Sequence, residues 1–337
     1  MQIPIRNIYY LLSYAWKYFK PSDLRKIDQK DFKNNIEFFA EIFDLTLSKY
    51  IKKGLHREYT EKVETLKTIR GKVDFNNTIK TLGFRSKKIK CIYDEYSSNN
   101  STNQLIFATI HTILKSKITN ELKKSIKKKI VYFNNVSRIR IDKLLINEIR
   151  PVRGNRTLNF LTNIAKYIYN NIGFDEKEGK YDLADFIKSK MGMAAVFENF
   201  ALNFYKAKFP HYEVRSELIK WDSGTEDSLY PVMKTDITIR SKNKVTVIDT
   251  KYYDNMFQYH HLNPDKPKFK SGNIYQLYTY LNNLKEDKEV EGMLLYPNTT
   301  SKVRNERIVS GKRIMINNIN LNQEWNKIEE EMLELVR

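Results

Sequence analysis

The feature that most constrains this fold is a pair of β-rich runs joined by a short polar turn, MKTDITIR-SKNK-VTVIDTKYY (residues 233–253). Runs of β-branched residues on both sides of the turn predict an antiparallel hairpin. Asp236 lies within the first run, whereas Asp249 and Lys251 lie near the end of the second. Because Asp249 and Lys251 are two residues apart on one strand, their side chains are expected to emerge on the same face of the sheet.

Carboxylates are rare inside apolar strands because an unpaired buried charge is costly, yet Asp249 directly follows the run VTVI. A divalent cation that prefers oxygen ligands would offset that cost. Phosphodiester hydrolysis uses the same parts: two carboxylates that hold Mg²⁺, and a lysine that orients water and balances the developing charge. The pattern therefore predicts a hydrolytic Mg²⁺ site in which Asp236 and Asp249 bind the metal and Lys251 assists. The competing interpretation is a surface ion pair between Asp249 and Lys251.

Two predicted helices that flank the hairpin supply further candidates. Glu198 lies in AAVFENFALNFY, at the margin of an apolar helix face, and is a tentative third metal ligand; an exposed helical acid is the alternative. Gln276 and Tyr280 lie four residues apart in SGNIYQLYTYLNNL, so that they share one helix face. We expect this pair to contact the scissile phosphate or DNA, with ordinary packing of Tyr280 as the alternative.

The chain is strongly basic, and its charge is unevenly distributed. Lysine and arginine total 59 against 40 acidic residues; residues 1–200 hold 38 basic and 21 acidic groups, and residues 201–337 hold 21 and 19. Such an excess attracts a polyanion through phosphate neutralisation and counterion release, so it predicts contact with nucleic acid. The densest cluster lies on a predicted helix near residues 121–130, where a solvated face without a ligand is the alternative. The DNA-binding candidates there are Lys123, Lys124, Lys127 and Lys128.

At 337 residues the chain is long enough for two domains. Helical periodicity predominates before residue 180, apart from short alternating stretches at residues 56–94 that predict a small sheet or projecting hairpins. A polar segment with two glycines at residues 173–182 predicts a linker. We therefore expect an α/β protein, α+β overall. A mostly helical domain with a small β insertion should cover residues 1–180, and an α/β domain around a central mixed sheet should cover residues 185–337.

Several classes of protein are not expected. The N-terminal segment lacks the pattern of a secretory signal and instead predicts a helix capped by Asn7. No stretch approaches the ~18 apolar residues of a membrane span. The single cysteine, Cys91, excludes an internal disulfide and a thiolate metal cluster. No G-x-x-x-x-G-K-[ST] loop is present, so any nucleotide-driven step is expected to come from a partner. These features favour a cytoplasmic protein.

Seven stretches together resemble the McrC family, and they span essentially the whole chain. They are IPIRNIYYLLSYAW, TIRGKVDF, SSNNSTNQLI, LIKWD, KTDITIR, VIDTKYY and NIYQLYTYL. McrC proteins are the nuclease subunits of McrBC modification-dependent restriction systems and belong to the PD-(D/E)xK superfamily. The resemblance implies a restriction-endonuclease-like fold for residues 185–337, metal ligands at Asp236 and Asp249, and a catalytic lysine at Lys251. The chain departs from the motif at Thr235, where the superfamily has a nominal proline, and at Asp249, which replaces its glutamate.

The same resemblance implies a partner. McrC-like proteins assemble with McrB, an AAA+ GTPase whose hexameric rings recognise modified DNA, and their N-terminal region inserts into the ring and stimulates GTP hydrolysis. Residues 56–94 are the candidate for the inserted element. The expected function is Mg²⁺-dependent cleavage of modified double-stranded DNA in phage defence, activated by an McrB-like GTPase. Two alternatives stay open: a catalytically silent adaptor that binds an AAA+ ring and DNA, and a standalone DNA repair nuclease on the same fold.

Overall fold

The computed structural model describes residues 3–28, 32, 34–80, 85, 87–175, 180–183, 190–222, 229–253, 255–260, 263–299 and 302–336. The chain forms two units. The helix-rich unit is Phe32–Ala184, and the sheet unit joins Met1–Asp31 to Asp185–Arg337. Met1–Asp31 thus belongs to the unit that contains the C-terminal part of the chain, whereas the sequence pattern predicted a first domain over residues 1–180.

The helices and strands have the following bounds. The helices are α1 (Ile5–Ala15), α2 (Pro21–Asp28), α3 (Asn35–Lys52), α4 (Phe75–Lys80), α5 (Ser101–Leu114), α6 (Asn120–Lys127), a 3-10 helix (Ile130–Phe133), α7 (Lys143–Glu148), α8 (Arg156–Asn171), α9 (Lys190–Lys208), α10 (Ser271–Asn283) and α11 (Trp325–Glu334). The strands are β1 (Glu58–Leu66), β2 (Lys72–Val73), β3 (Ile89–Ser97), β4 (Ile172–Asp175), β5 (Lys180–Leu183), β6 (Glu213–Arg215), β7 (Leu218–Ile219), β8 (Met233–Lys234), β9 (Ile237–Arg240), β10 (Lys244–Thr250), β11 (Phe257–His260), β12 (Asn263–Phe269), β13 (Glu289–Asn298), β14 (Arg304–Val309) and β15 (Lys312–Asn320). Within the described residues, every helix is too short or too polar to cross a membrane.

In the helix-rich unit, α8 packs against both α3 and α5. Asn34 begins α3 by accepting a hydrogen bond from the amide of Glu37 at 2.8 Å, as an N-cap residue does. Strands β1, β3 and β2 form an antiparallel sheet in that order. This sheet confirms the small β insertion that the sequence predicted for residues 56–94.

The polar segment that predicted a linker forms strands instead. Strands β4 and β5 pair antiparallel, from Ile172 opposite Leu183 to Asp175 opposite Lys180, and residues 176–179 lie outside the described part of the chain. The prediction was wrong because a polar composition is compatible with a hairpin whose backbone groups bond to each other.

Six of the strands described in the sheet unit form one mixed sheet, in the order β14-β15-β13-β10-β9-β6. Strands β10, β13 and β15 are parallel to one another, whereas β6, β9 and β14 pair antiparallel with their neighbours. The predicted hairpin is confirmed as β9 and β10, with Val245 opposite Arg240 and Ile248 opposite Ile237. The predicted α/β class with a central mixed sheet is confirmed as well.

Helix α10 covers one face of this sheet. Leu277 and Leu281 are fully buried in a hydrophobic cluster with residues of β10, β13 and β15. A Cβ atom at Gly292 of β13 would lie 2.8 Å from Leu281 and 3.0 Å from Leu277. The missing side chain therefore lets the helix approach the strand closely, which fixes the position of α10 relative to the end of β10.

Helix α1 belongs to the sheet unit because its buried side packs on α9, with the Tyr10 and Phe200 rings 5.5 Å apart. Asn7, which was predicted to cap this helix, lies inside it and is fully buried. Its side-chain amide donates to the carbonyl groups of Leu321 (2.8 Å) and Gln323 (2.7 Å). Asn7 therefore joins distant parts of the chain, and the capping prediction was wrong because a local pattern does not reveal such partners.

Candidate active site

The site is built at the end of strand β10, which lies between β9 and β13 and is an interior strand of the sheet. Asp249 is only 1% exposed there. Lys251 lies just beyond the strand, and its amide donates to the carbonyl of Leu295 at 2.9 Å, which continues the pairing with β13. The extended course places both side chains on one face, and Lys251 Nζ lies 2.8 Å from Asp249 Oδ2.

Asp236 reaches the same place from the adjacent chain segment. It was predicted to lie within a strand, but it occupies a bend between β8 and β9. The strand is interrupted because the Thr235 amide bonds to the carbonyl of Glu217 (3.0 Å) and the Asp236 side chain turns toward β10. Asp236 Oδ2 accepts hydrogen bonds from both the amide and the hydroxyl of Thr250, each 2.7 Å long. The two aspartates are thereby held side by side.

Helix α10 contributes a hydrogen-bonded pair to this site. Lys251 Nζ donates to Gln276 Oε1 at 2.8 Å, and Gln276 Nε2 donates in turn to the hydroxyl of Tyr280 at 2.7 Å. Gln276 is exposed, whereas Tyr280 is buried. Two residues that were singled out for their helical spacing thus orient the lysine, and their contact with DNA remains a prediction.

Negative charge is concentrated at this point of the sheet unit. Burial raises the pKa of Asp249 to about 6; Lys251 opposes this rise, and the charges of Asp236 and Glu198 add to it. Burial likewise raises the pKa of Glu198, with Asp236 acting in the same direction and Lys234 and Lys251 opposing. Glu198, half-buried on α9, therefore lies close enough to interact with the charge of Asp236 and to affect the ionisation of Asp249. Buried groups with such mutual effects are typical of functional sites.

The donor set fits a hard divalent cation. Mg²⁺ uses one or two carboxylates together with water and substrate phosphate, and Asp236 and Asp249 supply these carboxylates. Apart from its ion pair with Lys251, Asp249 Oδ2 is buried without a hydrogen-bond partner among the described residues, so a cation would compensate for its charge. No three His, Cys, Asp or Glu side chains of the described chain segments are close enough to hold an ion. Direct ligation of a cation by Glu198 therefore remains a prediction.

The predicted DNA-binding lysines lie elsewhere, on α6 of the helix-rich unit. Leu122 and Ile126 form the buried side of this helix. Lys124, Lys127 and Lys128 are exposed, and Lys123 is half-buried. This exposure is compatible both with a phosphate-binding face and with a solvated face.

The sequence pattern did not identify two residues of the site, Thr250 and Tyr296. Thr250 holds Asp236, as described above. Tyr296 on β13 is buried, and burial raises its pKa to about 12; a hydrogen bond from Asn273 opposes the rise, and the charge of Asp249 adds to it. No local pattern marks either residue, because Thr250 is one more β-branched residue of a strand and Tyr296 is one of 22 tyrosines.

The chain matches one family of known proteins. The family model described as the McrBC 5-methylcytosine restriction system component matches residues 6–297. The type IV methyl-directed restriction enzyme EcoKMcrBC of Escherichia coli (strain K12) is 26% identical over 340 residues, which cover 99% of this chain and 97% of that protein.

One solved structure shows a likeness at the level of the fold. A refined half-complex from a tetradecameric assembly of Thermococcus gammatolerans McrB AAA+ hexamers with bound McrC contains a chain that is 18% identical. The match covers 99% of this chain and 76% of that chain, with a TM-score of 0.53. A cryo-EM structure of the Thermococcus gammatolerans McrBC complex matches with 20% identity over 59% of this chain and 57% of that chain, with a TM-score of 0.44.

Proposed function

Because the chain belongs to the McrBC 5-methylcytosine restriction system component family, we propose that it is the endonuclease subunit of such a system and cleaves double-stranded DNA with Mg²⁺. The observation that carries this proposal is the Asp249–Lys251 pair, 2.8 Å apart, beside Asp236 at the end of an interior strand. It is a PD-(D/E)xK arrangement in which Thr235 takes the place of the proline and Asp249 that of the glutamate. The replacement of glutamate by Asp249 is chemically acceptable, since either acid supplies oxygen ligands.

In this proposal Asp236 and Asp249 hold the cation. When bound, Mg²⁺ polarises the scissile phosphate and lowers the pKa of a coordinated water. Thr250 fixes the orientation of Asp236 through two hydrogen bonds, so the carboxylate does not have to be ordered during the reaction. Glu198 adds negative charge at the margin of the site and thereby favours a cation.

Lys251 supplies the positive charge that faces the phosphate. Its ammonium group lies 2.8 Å from both Asp249 Oδ2 and Gln276 Oε1. An ammonium held by two acceptors is oriented before substrate arrives, and its remaining N–H group can donate to a phosphate oxygen and offset the charge that develops during hydrolysis. Gln276 therefore acts as a positioning residue for Lys251, and Tyr280 as a positioning residue for Gln276.

Partner binding is the second part of the proposal. The solved half-complex contains McrB AAA+ hexamers with bound McrC, and we infer that this chain binds an McrB-like hexameric GTPase and stimulates its GTP hydrolysis. The small sheet of the helix-rich unit supports this inference because its outer surface carries large side chains. Tyr59 is 74% exposed and Tyr96 is 56% exposed, and their rings lie 5.2 Å apart. Exposed aromatic pairs of this kind suit a protein partner.

The test is cleavage of a cytosine-methylated plasmid by the chain, with and without an McrB-type partner, GTP and Mg²⁺. We expect linear product only when all components are present. Cutting at DNA ends or branches by the chain alone, without nucleotide, would support the standalone repair nuclease instead. Stimulated GTP hydrolysis without cleavage of methylated or unmethylated plasmid would support the silent adaptor.

A further inference from the structure

The hairpin of β11 and β12 begins shortly after Lys251, and it packs against the hydrophobic core that lies beside the proposed active site. At its base Phe257 lies opposite Phe269, and their rings stack with centroids 5.1 Å apart. Both rings pack against the core that α10 covers. The base of the hairpin is therefore fixed relative to the end of β10.

Strand β12 carries a row of lysines that leads toward α10. Lys266 and Lys268 are exposed and share one side of the strand, because alternate residues point to the same face. Lys270 continues the alternation, with extended backbone, immediately before α10 begins. Phe269 lies between the last two lysines and packs on the core, so the lysine side of the strand faces away from it. The lysines repeat at about 6.8 Å, which is twice the ~3.4 Å axial spacing of phosphates on one DNA strand.

The last lysine of the row is held by an aromatic ring. Lys270 Nζ lies 3.9 Å from the centroid of the Tyr253 ring, a distance at which the ammonium and the ring attract each other. Among the described residues, Lys251 forms an ion pair with a carboxylate, whereas the contact described for Lys270 is with this ring. The ring holds the ammonium without neutralising its charge, and Lys270 thus retains its full attraction for an anion.

A short path of contacts connects this lysine to the catalytic carboxylate. The rings of Tyr253 and Tyr296 lie 6.4 Å apart. Tyr296 accepts a hydrogen bond from Asn273 of α10 at 2.8 Å, and the charge of Asp249 contributes to its raised pKa. Lys270 is thus separated from the site of Asp249 by two neighbouring rings, at the same edge of the sheet.

We propose that Lys270, held against Tyr253, binds a DNA phosphate next to the scissile one, and that Lys266 and Lys268 contact the same strand farther from the site. This inference rests on the proposed nuclease function and adds to it the surface that positions the substrate. The partner is a polyanion with a regular phosphate repeat, because the lysine row matches such a repeat and Lys266 and Lys268 are exposed. Lys270 is a DNA-contact residue in this account, and Tyr253 is a positioning residue for Lys270.

The experiment measures binding of the full chain to a fluorescent DNA duplex at several salt concentrations, with Ca²⁺ in place of Mg²⁺. Each lost phosphate contact reduces the slope of log affinity against log salt by about 0.9. We therefore expect Lys270→Met to weaken binding and reduce the slope by about 0.9, and Lys266→Met/Lys268→Met/Lys270→Met to reduce it by about 2.7. Tyr253→Leu should weaken binding as well, whereas Tyr253→Phe, which keeps the ring, should bind like the wild type.

The matched control is Lys288→Met. Lys288 is an exposed lysine of the same unit that precedes β13, at the opposite end of the sheet from Asp249, and we expect its replacement to leave the slope unchanged. Thermal melting of each variant separates loss of contact from loss of fold, and Lys270→Arg, which keeps the charge, should preserve the slope. If the wild-type protein binds and cuts DNA but Lys270→Met leaves the slope unchanged, this inference is overturned while the nuclease proposal stands. If the wild type neither binds nor cuts DNA with its partner present, the nuclease proposal fails with it.

Discussion

Asp236 is held against strand β10 by Thr250, whose amide and hydroxyl both donate to Asp236 Oδ2 at 2.7 Å. The pairing of β9 with β10 stops at Ile237 and Ile248, and the Asp236 carboxylate takes the place of the next backbone partner. One carboxylate of the proposed metal site is thus positioned by the residue that directly follows the other. Because the relative position of the two aspartates depends on this local contact, a single substitution of Thr250 can change it.

Thr250→Val removes the hydroxyl donor while keeping the shape of the side chain and the amide. A hydrogen bond to a charged group contributes about 1.5–3 kcal/mol, so we expect cleavage to slow by roughly tenfold or more and the Mg²⁺ requirement to rise. Cleavage rates across a Mg²⁺ titration measure both effects, and Thr250→Ser, which keeps the donor, is the control. A valine variant with wild-type rate and Mg²⁺ dependence would show that the hydroxyl does not position Asp236.

Gln276→Leu removes the acceptor that orients Lys251. Because small displacements of a catalytic group cost up to about 100-fold in rate, we expect single-turnover cleavage to fall by roughly 10- to 100-fold while DNA affinity changes little. Tyr280→Phe, which removes only the hydroxyl acceptor, should have a smaller effect in the same direction. Equal losses of rate and DNA affinity in Gln276→Leu would indicate instead that Gln276 acts mainly as a DNA contact.

The pKa of Asp249, raised by burial to about 6, makes cation binding dependent on pH. Since the unfolded value is about 3.9, ionisation of this carboxylate lowers the stability of the metal-free protein as pH rises from about 4 through about 6. Above about pH 6 a bound cation offsets the cost of burying the ionised Asp249 carboxylate. Below about pH 6 the cation has to displace a proton from this carboxylate. We expect Mg²⁺ or Mn²⁺ to raise the melting temperature more at about pH 7.5 than at about pH 5.5.

Asp249→Asn is the control for this measurement, and the cation should shift its melting temperature little at either pH. If the cation stabilises the wild type and Asp249→Asn equally, it binds elsewhere.

Glu291 is a buried acid that stabilises the sheet away from the proposed catalytic residues. It lies 2.8 Å from Lys244 and 3.1 Å from Arg313, and it accepts a hydrogen bond from Thr246 at 2.7 Å. Burial alone would raise the pKa of Glu291, but the bonds from Lys244 and Thr246 and the charges of Lys244 and Arg313 outweigh burial and lower it. Its stabilising contribution is therefore complete above the unfolded pKa of about 4.3 and is lost as pH falls through the lower folded value.

We expect Glu291→Gln to reduce the free energy of unfolding by about 1.5–3 kcal/mol at neutral pH, because it weakens hydrogen bonds to charged groups. The difference from wild type should shrink in acid. Urea unfolding at about pH 7 and about pH 3.5 measures both values. A difference that stays the same at the two pH values would show that packing, and not the charge, accounts for the effect.

The parts of the structure that the sequence predicted well are those with a regular local pattern. The alternation of β-branched residues predicted the β9–β10 hairpin, and the two-residue spacing placed Asp249 and Lys251 on one face. Helical spacing brought Gln276 and Tyr280 to one side of α10. Each of these depends only on the period of a strand or a helix.

The parts that the sequence did not reveal depend on partners far along the chain. Asp236 lies in a bend because its side chain bonds to Thr250, and Asn7 lies inside a helix because its amide finds carbonyl groups near residue 321. The same holds for the packing of α1 on α9 in the sheet unit. Propensity and spacing carry no information about such contacts, so they become visible only in the fold.

The most direct test of the central claim compares wild type with Asp249→Asn in one reaction that contains the McrB-type partner, GTP, Mg²⁺ and methylated plasmid. Cleavage and GTP hydrolysis are followed together. We expect the variant to stimulate GTP hydrolysis like the wild type but to lose cleavage by at least about 100-fold, because a proposed metal ligand is lost while the partner-binding surface is intact. Undiminished cleavage by Asp249→Asn would contradict the assignment of this site as the nuclease centre.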